Sequence, residues 1–97
     1  MSCWFVYIVR CADNSLYTGI ATDVERRVGE HNSTGMLAAK YTRARQPVKL
    51  VYYETVESRS AAASREYAIK RLSKATKEKL VASAELNDSD STASQTA

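Results

Sequence analysis

Apolar positions along the chain fall into three short runs separated by polar ones. Residues 4–9 (WFVYIV) are aromatic and β-branched, side chains that suit a pleated, half-buried strand. Residues 10–15 are polar and carry Asp13-Asn14, a pair that turns a chain readily. Residues 16–20 (LYTGI) are apolar again, so the two runs read as a β-hairpin. Strict alternation assigns the faces. Trp4, Val6 and Ile8 share one side of the first strand, with Phe5, Tyr7 and Val9 opposite. In the second strand Leu16, Thr18 and Ile20 oppose Tyr17 and Gly19. A compatible register puts Tyr7 and Tyr17 on one face as near cross-strand neighbours.

The period then changes. Thr22-Asp23-Val24-Glu25 has the form of a capping box and starts a helix running to about Asn32, which residues 33–35 end. Residues 36–47 are a basic connection with room for one short helical turn, closed by Pro47. A third strand occupies residues 48–56 (VKLVYYETV). Ser58 or Ser60 can cap an Ala-rich helix reaching about Leu72, and Ser73 is placed to cap a last helix from Lys74 to about Ser83. The order ββα(α)βαα implies an α+β domain, a three-stranded antiparallel sheet flanked by helices. Ninety-seven residues make one domain with a thin core, here residues 1–83. Residues 84–97 hold one Leu, no aromatic residue and no Lys or Arg, and are expected to be a flexible acidic and polar tail.

Setting the tail apart sharpens the charge. All 14 basic residues but only eight of the 11 acidic ones lie in residues 1–81, so the folded body carries +6 rather than +3. A basic body favours polyanions such as nucleic acid. Cys3 and Cys11 stand at the two ends of one strand, about 25 Å apart, too far for a disulfide. Two lone thiols suit a reducing cytosol, and the single His leaves no zinc-site spacing. No stretch is long and apolar enough to span a membrane, so a cytoplasmic protein is expected.

Helical geometry singles out a few polar residues. Around the first helix, Val24 and Val28 define the apolar stripe. Arg27 and His31 fall near it, one turn apart, and can converge on one ligand, while Arg26 and Glu30 point away. The plainer alternative has Arg27 snorkelling from the stripe edge and His31 satisfied near the helix C-terminus. On the helix from 58, Ala61, Ala62, Ala68, Ile69 and Leu72 make the stripe, with Glu66 at its edge. A carboxylate there takes either a metal or a salt bridge to Lys70, one turn on. Lys40, Arg43, Arg45 and Lys49 surround Tyr41 with no acid between them. They suit a phosphate backbone, and Tyr41 either stacks on a base or packs.

Read together, these pieces resemble the GIY-YIG nuclease superfamily. Phe5-Val6-Tyr7 and Tyr17-Thr18-Gly19 are similar to its two naming motifs. Residues 22–32 (TDVERRVGEHN) resemble its next motif, a helix bearing an Arg and, four residues on, a His or Tyr. Residues 40–43 (KYTR), 50–54 (LVYYE) and 65–72 (REYAIKRL) are similar to its small stand-alone bacterial branch. The resemblance implies a metal-dependent endonuclease acting on DNA with one Mg²⁺ or Mn²⁺. It implies Tyr17 as general base, Tyr7 positioning the water and phosphate, Arg27 on the scissile phosphate, His31 near the attacking water, and Glu66 as the metal ligand. Lys40, Tyr41, Arg43, Arg45 and Lys49 would dock the nucleic acid. Gly19, lacking a side chain, would leave room for a phosphate to approach the sheet.

Many members add a C-terminal Asn to the site; Asn87 lies in the tail and that role is not carried over. Two other readings stay open: a nucleic-acid-binding module that does not cleave, and a domain whose basic face binds an acidic protein. No residue reads a 2′-hydroxyl, so RNA stays open as a substrate.

Overall fold

A computed structural model describes residues 3–33 and 40–84. The two expected hairpin strands form as β1 (Trp4–Arg10) and β2 (Leu16–Ala21). Asn14 turns the chain at φ 70°, a left-handed conformation that Asn tolerates. β3 (Lys49–Val56) pairs with β1 on its other side, so the antiparallel sheet runs β2-β1-β3. β1, the central strand, supplies the most deeply buried strand residues.

Both faces are covered, and the alternation holds. Val6 and Ile8 pack with Trp4, Leu16 and Ile20 against Ala62 and Ile69 of α3 (Arg59–Lys70) and Val81 of α4 (residues 74–84). Tyr7, Val9 and Ala21 pack with Tyr17 against Val24 and Val28 of α1 (Val24–His31). α2 (Lys40–Arg43) is the short turn expected in the basic connection. The α+β order ββα(α)βαα therefore describes the chain.

Local chemistry sets the helix starts, with differences from the sequence reading. Asp23, not Thr22, caps α1: its backbone is extended and its carboxylate accepts from Arg26 N. β2 continues through Ala21, which moves the first helical turn one residue along. Ser58 rather than Ser60 caps α3, accepting from Ala61 N at 3.1 Å. Ser73 Oγ caps α4, accepting from Thr76 N at 3.2 Å. Ala68 is exposed, so the buried stripe of α3 is narrower than expected and centres on Ala62 and Ile69.

Ion pairs tie helices to the sheet. Arg65 of α3 donates two hydrogen bonds to Glu54 of β3, at 2.8 and 3.0 Å, fixing how α3 is turned on its axis. Arg10 of β1 grips Glu78 of α4 with both terminal nitrogens, and that contact with Lys74 beside it holds the Glu78 carboxyl down to about 2. Cys3 is exposed and Cys11 buried, both as free thiols. Residue 84, the first of the expected tail, is the last helical residue described, and the rest of that tail, residues 85–97, lies outside the described residues.

Candidate active site

The site forms where α1 and α3 flank β2, an edge strand. Tyr7 on β1 pairs with Gly19 on β2, and its phenol lies across that glycine. A Cβ at Gly19 would come within 2.6 Å of the ring's Cζ. The missing side chain thus makes room for Tyr7, where the sequence reading reserved it for a phosphate. Sheet pairing brings these two residues face to face, which motif spacing alone does not show.

Beyond Gly19 the Tyr7 hydroxyl meets His31 Nε2 at 2.7 Å. His31 Nδ1 in turn lies 2.8 Å from Thr42 Oγ1 of α2. All three side chains are almost wholly buried. The Arg27 guanidinium lies near enough to the Tyr7 oxygen for its charge to favour the phenolate. Assigning the Tyr7 proton to the bond with His31 Nε2 and the Nδ1 proton to Thr42 gives all three side chains a partner. Burial pushes the Tyr7 phenol up to about 12, outweighing the Arg27 charge that opposes it. Burial and the same cation push His31 down to about 4. At neutral pH both groups are uncharged, and Tyr7 is a poor base.

Tyr17 shares that face, one cross-strand step away: Tyr7 pairs with Gly19, and Tyr17 with Val9. Its ring meets the His31 ring edge-on at 5.3 Å and stacks on Tyr41 at 5.6 Å. Arg45 caps the Tyr41 ring at 4.0 Å and is paired with Asp13 of the hairpin turn at 3.1 Å. The basic run thus has an acidic partner, from 32 residues upstream. Tyr41 packs against Tyr17 and still shows 38% of its surface.

Glu66 sits on α3, its side chain 24% exposed, 3.3 Å from Lys70 Nζ. Its charge reaches Tyr7, raising the phenol further. Among the described residues no group of three or more His, Cys, Asp or Glu could cage a metal. One half-buried carboxylate still suits Mg²⁺, which keeps several waters and completes its shell with substrate phosphate.

Tyr7, Tyr17, Arg27, His31 and Glu66, drawn from four elements, are thus linked through Tyr7, which each of the other four reaches by contact or charge. Glu30 differs from its expected outward placement: it curls back to Arg27 at 2.9 Å and Arg26 at 3.2 Å. A carboxylate on a flexible stem follows its neighbouring cations rather than the helical wheel. Lys40 and Arg43 are exposed on α2 beside Tyr41. Lys49 stands on β3, the opposite edge of the sheet from Tyr17, and is not part of this group.

Three supporting residues escaped the sequence reading. Thr42 was hidden inside a basic run, although it sits in the KYTR motif. Asn32 exchanges two hydrogen bonds with the Val48 backbone, at 2.7 and 3.0 Å, fixing the end of α1 to the start of β3. Gln46 Nε2 donates to the His31 carbonyl at 2.6 Å. Nothing local marks either residue for these contacts.

Comparison with known proteins agrees with this fold. The family model for the GIY-YIG catalytic domain matches residues 3–79. A UPF0213 protein of Desulfotalea psychrophila is 58% identical over 84% of this chain and 74% of its own length. Another, of Natronomonas pharaonis, is 56% identical over 80% of this chain and 89% of its own. The solution NMR structure of a UPF0213 protein from Bacillus halodurans superposes with a TM-score of 0.52 at 45% identity, covering 82% of this chain and 83% of that one. The solution NMR structure of an E. faecalis protein gives 0.58 at 38% identity, covering 89% and 90%. The motif order, the sheet and the converging side chains lead to one assignment: the chain belongs to the GIY-YIG nuclease family.

Proposed function

We propose that the protein is an endonuclease that hydrolyses phosphodiester bonds of DNA, using one divalent metal, Mg²⁺ or Mn²⁺. One observation carries this reading. Tyr7 is hydrogen-bonded to His31 beside Tyr17, within reach of the Arg27 and Glu66 charges. Phosphodiester hydrolysis needs an in-line water, cations on the nonbridging oxygens and neutralisation of the leaving oxygen. Arg27 supplies a planar, two-pronged cation for the nonbridging oxygens. Tyr7, kept neutral with its proton directed to His31, accepts from the attacking water, while Tyr17 takes the proton of that water. His31 accepts from Tyr7 and keeps its phenol aimed. Glu66 would hold the metal, whose charge when bound neutralises the leaving oxygen. Lys40, Tyr41, Arg43 and Arg45 guide the backbone past Tyr17; Lys49 stands apart from them.

Branched, nicked or single-stranded DNA, in repair or recombination, is the substrate class in this reading, and the exposed Tyr41 stacked on Tyr17 offers an unpaired base a surface. The two unbridged thiols favour a cytoplasmic setting. Among the described residues no helix is long and apolar enough to cross a membrane. The test is cleavage of a panel of such DNA structures with Mg²⁺ or Mn²⁺. Glu66→Ala is expected to lose the activity, and equal cleavage by this variant and the wild type would overturn the assignment.

A second reading has one observation in its favour. Arg27 is engaged by Glu30 and Glu66 by Lys70, so both key charges are already compensated in the free protein. On that reading the fold binds nucleic acid without cutting it. Salt-sensitive binding with no turnover under either metal, unchanged in Tyr17→Phe, would favour it.

A further inference from the structure

Lys70 lies one turn beyond Glu66 on α3, its Nζ 3.3 Å from Glu66 Oε2 and 5.7 Å from the centre of the Tyr17 ring. It therefore sits between the proposed metal carboxylate and the proposed general base. Nearby cations are committed elsewhere. Arg65 holds Glu54, Lys74 holds Glu78, and Arg27 holds Glu30. The Lys70 side chain is 48% exposed and its pair spans a single helical turn, the kind of contact that breaks and re-forms at little cost.

We propose that Lys70 couples metal binding to substrate binding by exchanging partners. In the free protein its ammonium occupies the carboxylate a metal needs, and the like charges of ammonium and dication oppose joint occupancy. A phosphodiester entering beside Tyr17 offers Lys70 a new anion within reach of its flexible stem. Once Lys70 turns to that phosphate, the Glu66 oxygens are open to the metal. The linkage is reciprocal: DNA tightens metal binding and metal tightens DNA binding by the same factor. This inference rests on Glu66 being the metal ligand.

The test measures Mn²⁺ binding to the full chain by the paramagnetic resonance signal of free aqueous Mn²⁺. It is done with and without a short phosphorothioate single strand, which resists cleavage. The wild type is expected to bind Mn²⁺ at least about fivefold more tightly with the strand present. Lys70→Gln should bind Mn²⁺ alone about twofold more tightly than the wild type and keep a strand-induced gain of only about 2.5-fold. Lys70→Arg, keeping the charge, should behave as the wild type. A strand-induced gain of wild-type size in Lys70→Gln overturns the proposal. Glu66→Gln should bind Mn²⁺ in neither condition. If it binds as the wild type does, the metal-ligand reading fails first and takes this inference with it.

Discussion

The Tyr7 hydroxyl stands 2.7 Å from Nε2 of His31, with both side chains withdrawn from solvent. Tyr7 belongs to the central strand and His31 to the last turn of α1, so this bond joins sheet and helix at the site. Burial and the nearby Arg27 charge both disfavour a second proton on that imidazole, which gives the site a pH dependence of known direction.

His31 titrates near 4 in the folded chain against an ordinary 6.5. Above 6.5 the imidazole is neutral folded or unfolded, and the full stability is present. As pH falls from 6.5 towards 4, only the unfolded chain takes up the proton, so stability is lost across that window and levels below it. The shift corresponds to a loss of up to about 3 kcal/mol. Urea unfolding at pH 7.5 and pH 4.5 checks this. His31→Gln should flatten the difference, and an unchanged slope in that variant would assign the loss to other groups.

Thr42 gives His31 Nδ1 its partner, and its hydroxyl rather than its shape is what the imidazole needs. Thr42→Val keeps the volume and removes the acceptor, leaving a buried N–H unsatisfied at about 1–3 kcal/mol. Turnover should fall with it, while Thr42→Ser should recover most of both. Thermal unfolding and cleavage rates of the two variants decide the point.

Gly19→Ala should drive Tyr7 off His31. The new methyl would overlap the phenol ring, which is closely packed on every side. Overpacking of this kind costs about 1–3 kcal/mol. The expected result is a lowered unfolding midpoint together with loss of cleavage. Wild-type activity in this variant would mean that the position of Tyr7 does not matter to the reaction.

The placement of the basic residues gives a salt-dependence prediction. Lys40 and Arg43 project from α2 beside Tyr41, whereas Lys49 lies on the far edge strand. Lys40→Ala and Arg43→Ala should each weaken DNA binding and lower the salt slope by about one. Lys49→Ala should change both least. Titrations at several salt concentrations separate the three, and an equal effect at Lys49 would require a nucleic-acid path across the whole sheet.

Much of this architecture was legible in the sequence, for reasons internal to each element. Period-two alternation put Tyr7 and Tyr17 on one face, and the helical period put Arg27 and His31 on the inner side of α1. Where an outcome depended on neighbours, the sequence reading slipped. The cap of α1 moved from Thr22 to Asp23 because β2 ran one residue longer. Glu30 turned inward because Arg26 and Arg27 flank its carboxylate.

The chain alone determined the order of elements, the two faces of the sheet, the basic body and the family resemblance. Each follows from residue type and spacing within a few turns or strands. Only the tertiary structure decided that Gly19 makes room for Tyr7, that Thr42 completes the bonding of His31, and that Lys70 stands between Glu66 and Tyr17. Those contacts join elements distant in the chain. Their geometry is set by how α1, α2 and α3 pack on the two faces of one sheet, and no local period records that packing.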